Sequence, residues 1–337
     1  MKITYLIGAG ASAENIPTVK DFPKKLIEFR DYIRGNFPIN NDKLGENTQL
    51  ILNDLNCIIE ETSNHASFDT YAKKLYLTNQ KNDLIKLKNI LDSFLTAIQI
   101  TNRLDKRYDL FLATILNNSN GKLNLPQNIS IISWNYDFQL ELSLNNFYKK
   151  QSFSELDNEI NLYPNSANLI NENEFSIFKL NGTAGGILEE DKLTKKNYFD
   201  LGTPYNLSDS KFKKSVYESI IKNYSIMHKT KQISSIIFSW ENDNEIFKNL
   251  RDGVLKIISD TSILVVIGYS FPTFNRNIDK LILANMQKLF KIIVQVHDKE
   301  MNAVISRLNE IISKINGNVQ IIPNNVLDEF FIPFEFN

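Results

Sequence analysis

Residues 263–297 run ILVVIGYSFPTFNRNIDKLILANMQKLFKIIVQVH. An unbroken apolar run from Ile263 ends in Gly268, and a polar turn with Pro272 follows. A helical stripe then occupies Ile278 to Leu289, and a second apolar run spans Lys291 to His297. A strand that is apolar along its whole length is buried on both faces, and two such strands joined by a helix make a parallel crossover. The unit then repeats. Met301, Val304, Ile305, Leu308, Ile311, Ile312 and Ile315 keep helical spacing, and a short β-rich run covers Asn318 to Ile322.

The same alternation is visible further upstream. A β-rich run, Ile3 to Ile7, ends in the glycine loop Gly8 to Ala13. Phe22, Leu26, Phe29 and Ile33 then mark a helix over 21–34, with Gly35 expected to stop it. No strand signal occurs over 41–117. Leu84, Leu87, Leu91, Phe94, Leu95 and Ile98 form one helical stripe there, and Tyr108, Phe111, Leu112 and Ile115 another. Strands are expected again at 129–134 and 174–180, an irregular polar loop at 181–209, and helices at 211–224 and 244–258. This order predicts an α/β fold: a Rossmann-like parallel sheet with helices on both faces and a helical subdomain inserted at about 41–117. The sheet-forming domain is expected over 1–322. An apolar tail, 323–337, either docks a partner or folds back on the domain. A short echo between Ser130–Asp137 (SIISWNYD) and Ser235–Asp243 (SIIFSWEND) is offset by one residue and is assigned to chance.

Composition narrows the function classes. Lys+Arg total 38 against 39 Asp+Glu, whereas a non-specific nucleic-acid or membrane-surface binder is expected to be basic. The single cysteine, Cys57, excludes an intrachain disulfide and a cysteine-based zinc cluster. Within Leu55–Ile59 it is expected on the buried face of a helix. His65 reads as the neighbour of a helix cap, His228 as exposed, and His297 as a structural residue beside Asp298; none is spaced for a metal. The chain enters a strand without the pattern of a secretory signal. Its longest apolar run, 262–271, is shorter than the ~20 residues a bilayer requires. A cytoplasmic protein without a membrane span is expected.

Four strand ends carry residues suited to chemistry. Gly8-Ala9-Gly10-Ala11-Ser12-Ala13 is small enough for backbone to approach a phosphate, and the N–H groups of the helix expected to start after it would attract negative charge. It fits G-x-G-x-x-A, the dinucleotide fingerprint, yet the second strand and acid expected about 20 residues later are missing. Ser133-Trp-Asn-Tyr-Asp137 pairs an amide with a carboxylate, a combination that orients a water or a sugar hydroxyl; Asn and Asp also start helices. Lys179-Leu-Asn-Gly-Thr183 ends the next strand and reads equally as an Asn-Gly turn. Gly268-Tyr-Ser-Phe-Pro-Thr273 ends the fourth, followed by Asn275, Arg276, Asn277 and Asp279; Arg276 reads as a phosphate partner or as a solvated helix start.

These four motifs, GAGAS, SWNYD, KLNGT and GYSFP, resemble in order and placement those of the sirtuin-like NAD-hydrolase family of bacterial anti-phage defence. The family's typical forms are GAGAS, T-x-NYD, KLHG-S/T and GYSF followed by an acid. The resemblance spans Ile3 to about Ile322. It implies NAD as substrate, with Gly8, Ala9, Gly10, Ala11 and Ser12 holding the pyrophosphate. Asn135, with Asp137, would position water or ribose at the scissile bond. Asn181 would hold the ribose hydroxyls beside Gly182 and Thr183, and Gly268, Tyr269 and Ser270 would contact the phosphate and ribose side. By extension Asp298 faces the adenosine end. No metal is implied. A homo-oligomer, and a separate protein partner for activation or restraint, are expected.

Two departures matter. Protein-deacetylating sirtuins carry a four-cysteine zinc module, which one cysteine cannot supply. The family histidine of KLHG falls on Asn181, whose amide accepts no proton near neutral pH. Three readings follow: electrostatics and water placement carry the cleavage; another group, such as His65 or Asp137, serves as base; or the chain binds NAD or ADP-ribose as a catalytically silent subunit or sensor.

Overall fold

Strand β1 (Lys2–Ile7) turns Ile3, Tyr5 and Ile7 to one side and Leu6 to the other, and both sides are buried. That two-sided burial recurs in the inner strands and explains the apolar runs. The computed structural model describes residues 1–18, 21–166, 168–188, 209–241, 244–315 and 318–336, with 193–195 as backbone.

After β1 come five helices before the sheet resumes: α1 (Phe22–Asn36), α2 (Lys43–Ser63), α3 (Phe68–Leu77), α4 (Lys81–Thr101) and α5 (Lys106–Ile115). A small hairpin, β2 (Asn117–Ser119) and β3 (Lys122–Asn124), leads into β4 (Ile129–Ser133). Helices α6 (Gln139–Tyr148) and α7 (Phe153–Glu159) precede β5 (Leu162–Tyr163) and β6 (Ser176–Lys179). A separate three-stranded sheet is formed by β7 (Gly186–Leu188), β8 (Leu193–Lys195) and, beyond α8 (Ser210–Thr230), β9 (Ile233–Ser234). The chain closes with α9 (Glu245–Ile257), β10 (Thr261–Ile267), α10 (Arg276–Asn285), β11 (Lys291–Gln295), α11 (Asp298–Ile312) and β12 (Gln320–Asn324).

The central sheet has seven strands in the order β12-β11-β10-β1-β4-β6-β5, and every pairing in it is parallel. Without the outer strand β5, this is the Rossmann strand order. The chain leaves β1 toward β4 and returns on its other side through β10, so the order reverses between β1 and β10. Crevices at such reversals, at the carboxyl ends of the strands, are where ligands bind in open parallel sheets.

Helices cover both faces. Ile3, Tyr5, Ile129, Ile131, Ile263 and Val265 share a core with α1 to α5 and α8. Leu6, Ile132, Leu264, Val266, Ile292 and Val294 pack with α9, α10 and α11. The second core strand, missing where the fingerprint expects it, is β4, postponed by the helices after β1. The chain runs back past β12: Phe330 is buried edge-on against Tyr108 at 4.9 Å and 85°, with the Arg107 guanidinium 5.3 Å from its ring. Gln295 holds that segment by donating to Glu329 O at 2.6 Å and accepting from Phe331 N–H at 3.0 Å.

Several expectations need correcting. Cys57 is exposed; the buried stripe of α2 runs through Ile51, Leu52, Leu55 and Ile58, and a residue just before Ile58 is turned about 100° away from it. Gly35 lies inside α1, which ends at Asn36 and is capped by the buried Phe37. The loop expected over 181–209 contains β7 and β8, while its parts at 189–192 and 196–208 lie outside the described residues. The last strand is shifted to Gln320–Asn324, so the boundary expected at 322 falls within it.

A Cβ at Gly35 would meet nothing within 4 Å. Gly35→Ala is therefore expected to raise stability by about 0.5–1 kcal/mol through reduced freedom of the unfolded chain. Urea denaturation measures it, and a lowered midpoint would contradict the helical placement.

Candidate functional site

All four strand-end motifs open into one cleft. Ala9 follows β1, Trp134 to Asp137 follow β4, Asn181 follows β6, and Gly268 to Ser270 follow β10; all of them line it. The cleft holds about 240 Å³, a little under the roughly 300–1,000 Å³ usual for ligand pockets, and it opens to solvent at its mouth.

The glycines at the reversal let two loops mesh. Gly8 N–H donates to Ile267 O and Gly10 N–H to Gly268 O, each at 2.9 Å. A Cβ at Gly10 would sit 2.8 Å from Gly268 Cα, and one at Gly268, where φ is +60°, 2.2 Å from Ala11 N. Of the GAGAS residues, Ala9 lines the cleft, while Gly8, Gly10 and Ala11 form the seam with the second loop. The loop passes into a short 3-10 turn, Ala9–Ser12, and α1 starts only at Phe22. The positive end of that helix is therefore not at the loop, contrary to the sequence expectation.

Helix α5 supports the loop from behind. Arg107 Nη2 donates to Ala11 O at 2.9 Å, and Ser12 Oγ lies 2.9 Å from the Tyr108 hydroxyl. Asn135 Nδ2 points to Ser12 Oγ at 3.5 Å, at the outer limit of a hydrogen bond. Its backbone N–H donates to Ser133 Oγ at 3.1 Å.

Asp137 lines the cleft and also starts α6, where its Oδ1 accepts from Gln139 N–H at 3.2 Å. Burial pushes its carboxyl up; Lys179 pulls the other way and Glu141 adds to the rise. Lys179 Nζ donates to Asp137 O and stands 3.4 Å from Glu141 Oε1, all in the interior. Asn181 donates from Nδ2 to Trp134 O at 3.2 Å, while its buried Oδ1 has no partner. Orphaned buried acceptors are uncommon and destabilising, so this atom, on the cleft wall, is set for a donor from outside. Gly182 and Thr183 stand behind the wall. A Cβ at Gly182, at φ +73°, would meet Ser235 O at 1.9 Å, and Thr183 O accepts from Ser235 Oγ at 2.6 Å.

On the β10 side Tyr269 stacks on Trp134 with centroids 6.1 Å apart. Its hydroxyl donates to Asp279 Oδ1 and Oδ2 at 3.0 and 2.9 Å and accepts from Asn275 Nδ2 at 3.0 Å. Burial pushes the Asp279 carboxyl up to about 8, against the opposing pull of Tyr269 and Trp134. In the fold the proton stays on between its ordinary value of 3.8 and about 8, whereas the unfolded chain has released it. Stability therefore falls as pH rises through that window, by up to about 1.4 kcal/mol per unit. The stability of wild type relative to Asp279→Asn is expected to fall from pH 4 to pH 8, measured by denaturation at each pH. A pH-independent difference would contradict the shift.

The opposite wall was not legible as a site in the sequence. Phe22 from α1, Phe68 and Asp69 from α3, Leu91 and Leu95 from α4, and Phe238, Ser239 and Trp240 after β9 build it. Phe238 and Trp240 are stacked at 4.9 Å and 1°. They belong to the segment whose echo of SWNYD was assigned to chance. Asp69 is half-buried, and burial pushes its carboxyl up to about 6. His65 is not part of the cleft; its Nδ1 lies 2.7 Å from Glu61 O at the end of α2. Arg276 is exposed, 4.0 Å from Glu310, and His297 is the exposed N-cap of α11 beside Asp298.

Among the described residues no helix is long and apolar enough to cross a membrane. No protein-family model matches the chain, and no curated protein matches it in sequence.

Proposed function

We propose that the chain is a NAD hydrolase that cleaves the bond between nicotinamide and ribose, releasing nicotinamide and ADP-ribose. The observation that supports this most is the convergence of Ala9, Asn135, Asn181 and Gly268, one from each motif, on a single cleft at the strand-order reversal. The seam of Gly8 to Ala11 with Gly268 and Tyr269 offers backbone close to the pyrophosphate. Asn135 orients the attacking water, and the orphaned Asn181 Oδ1 accepts from a ribose hydroxyl. Among the described residues the cleft is lined by the carboxyls of Asp69 and Asp137 and by no Lys or Arg. With aromatic walls, that composition suits a flat ring carrying a positive charge, as oxidised nicotinamide does. Cleavage neutralises the ring, which makes it a good leaving group.

The setting belongs to the same proposal: a cytoplasmic defence effector that depletes NAD when activated, restrained through a homo-oligomer or a separate protein partner. A second reading, a catalytically silent NAD- or ADP-ribose-binding subunit, is favoured by Asn181 in place of a histidine. Incubation with NAD followed by chromatography separates the two. Equal amounts of nicotinamide and ADP-ribose are expected, whereas intact NAD with saturable binding selects the silent subunit.

A further inference from the structure

Cleaving NAD with water releases a proton, and the residue at the expected histidine position cannot accept it. The titratable groups around the cleft can be taken in turn. Asp137 accepts from the Gln139 N–H at the start of α6 and faces Lys179. Asp279 lies behind Tyr269 and accepts its hydroxyl proton. His65 is outside the cleft. Burial, then Asp69 and Glu241, hold the Tyr136 hydroxyl far above its ordinary range.

Asp69 differs from these. It stands in the first turn of α3, whose N-cap Ser67 accepts from Thr70 N–H at 3.2 Å. The neighbouring Phe68 is edge-on to Phe22 at 5.2 Å and 6.3 Å from Phe238, so the helix start is wedged into the aromatic wall. Among the described residues no hydrogen bond or ion pair engages the Asp69 carboxylate. Of the titratable groups nearby, Tyr136 keeps its proton, and Glu241 is paired with Lys88 at 2.5 Å.

We propose that Asp69, supplied by the helices inserted after β1 rather than by a sheet end, is the general base of the cleft. This rests on the NAD-hydrolase reading. The water oxygen forms a bond to the anomeric carbon as the bond from that carbon to the nicotinamide nitrogen breaks. The electron pair of the broken bond passes to the ring nitrogen and ends its positive charge. The water proton moves to the Asp69 carboxylate, which afterwards returns it to solvent.

The test compares wild type, Asp69→Asn and Asp69→Glu in NAD cleavage and in NAD binding. A positioned base contributes about 10²–10⁴-fold. Asp69→Asn is expected to lower kcat at least a hundredfold with Kd for NAD within about threefold, and Asp69→Glu to recover part of it. Since a base works deprotonated, wild-type kcat is expected to rise with pH through about 6 and the residual Asn rate to lose that limb. Wild-type kcat in Asp69→Asn, or a pH limb unchanged by the substitution, overturns the assignment of Asp69 alone. A wild-type protein inert toward NAD overturns the hydrolase reading and the base with it.

Discussion

Asn135→Ala is expected to abolish NAD cleavage while leaving the fold nearly as stable as before. The side chain contributes little to folding: its one hydrogen bond reaches Ser12 Oγ at 3.5 Å, and the turn is held instead by its backbone N–H on Ser133 Oγ. Losing such a bond costs about 1 kcal/mol or less. In the cleft, by contrast, the amide reaches toward Ser12 of the glycine loop, and the residue before it, Trp134, holds Asn181 through its carbonyl. Removing one preorganised polar group from a reacting centre typically lowers kcat by about 10²–10³-fold. Turnover and thermal denaturation on the same preparation decide the matter. Full cleavage by the variant would remove Asn135 from the mechanism; a collapse in melting temperature would make it a structural residue.

Gly268→Ala is expected to cost a large part of the fold's stability. Its φ of +60° is unfavourable for any residue with a side chain, and the added carbon would lie 2.2 Å from Ala11 N and 2.4 Å from Gly10 C. These are backbone atoms of the meshed loop, so nothing flexible can yield. Gly121 isolates the dihedral part of the penalty, since φ is +77° there and a Cβ would meet nothing within 4 Å. A loss of about 1 kcal/mol is expected for Gly121→Ala and more than about 4 kcal/mol for Gly268→Ala. Chemical denaturation of both variants measures this. Equal losses would mean that the two loops do not mesh.

Most of the sheet was legible because parallel strands buried on both faces leave apolar or β-branched runs, as in Ile263 to Ile267 and Ile292 to Val294. β5 was not: Leu162 and Tyr163 are only two residues long, too short for any period. Gly35 misled because a glycine near a helix end signals a stop, although its exposed position lets the helix continue. The site was half legible. Asn135, Asn181 and Gly268 stand directly after strands, where periodicity ends and small or polar residues are conspicuous. The facing wall comes from helices and from the loop after β9, and its members look like ordinary core positions in sequence. Phe22 reads as the first residue of a stripe, and Asp69 as a helix-start acid. Only the packing of the α3 start against Phe22 and Phe238 turns Asp69 into a cleft residue. The glycine loop was recognised, but its first task is the seam with Gly268, which local sequence does not reveal.

The central claim is that the cleft hydrolyses the molecule it holds. Its most direct measurement is the reaction of purified protein with NAD in heavy-oxygen water, with products weighed by mass spectrometry. The account predicts nicotinamide and ADP-ribose in equal amounts, with one heavy oxygen on each ADP-ribose and no product from Asn135→Ala. NAD that stays intact while binding in the cleft would contradict it.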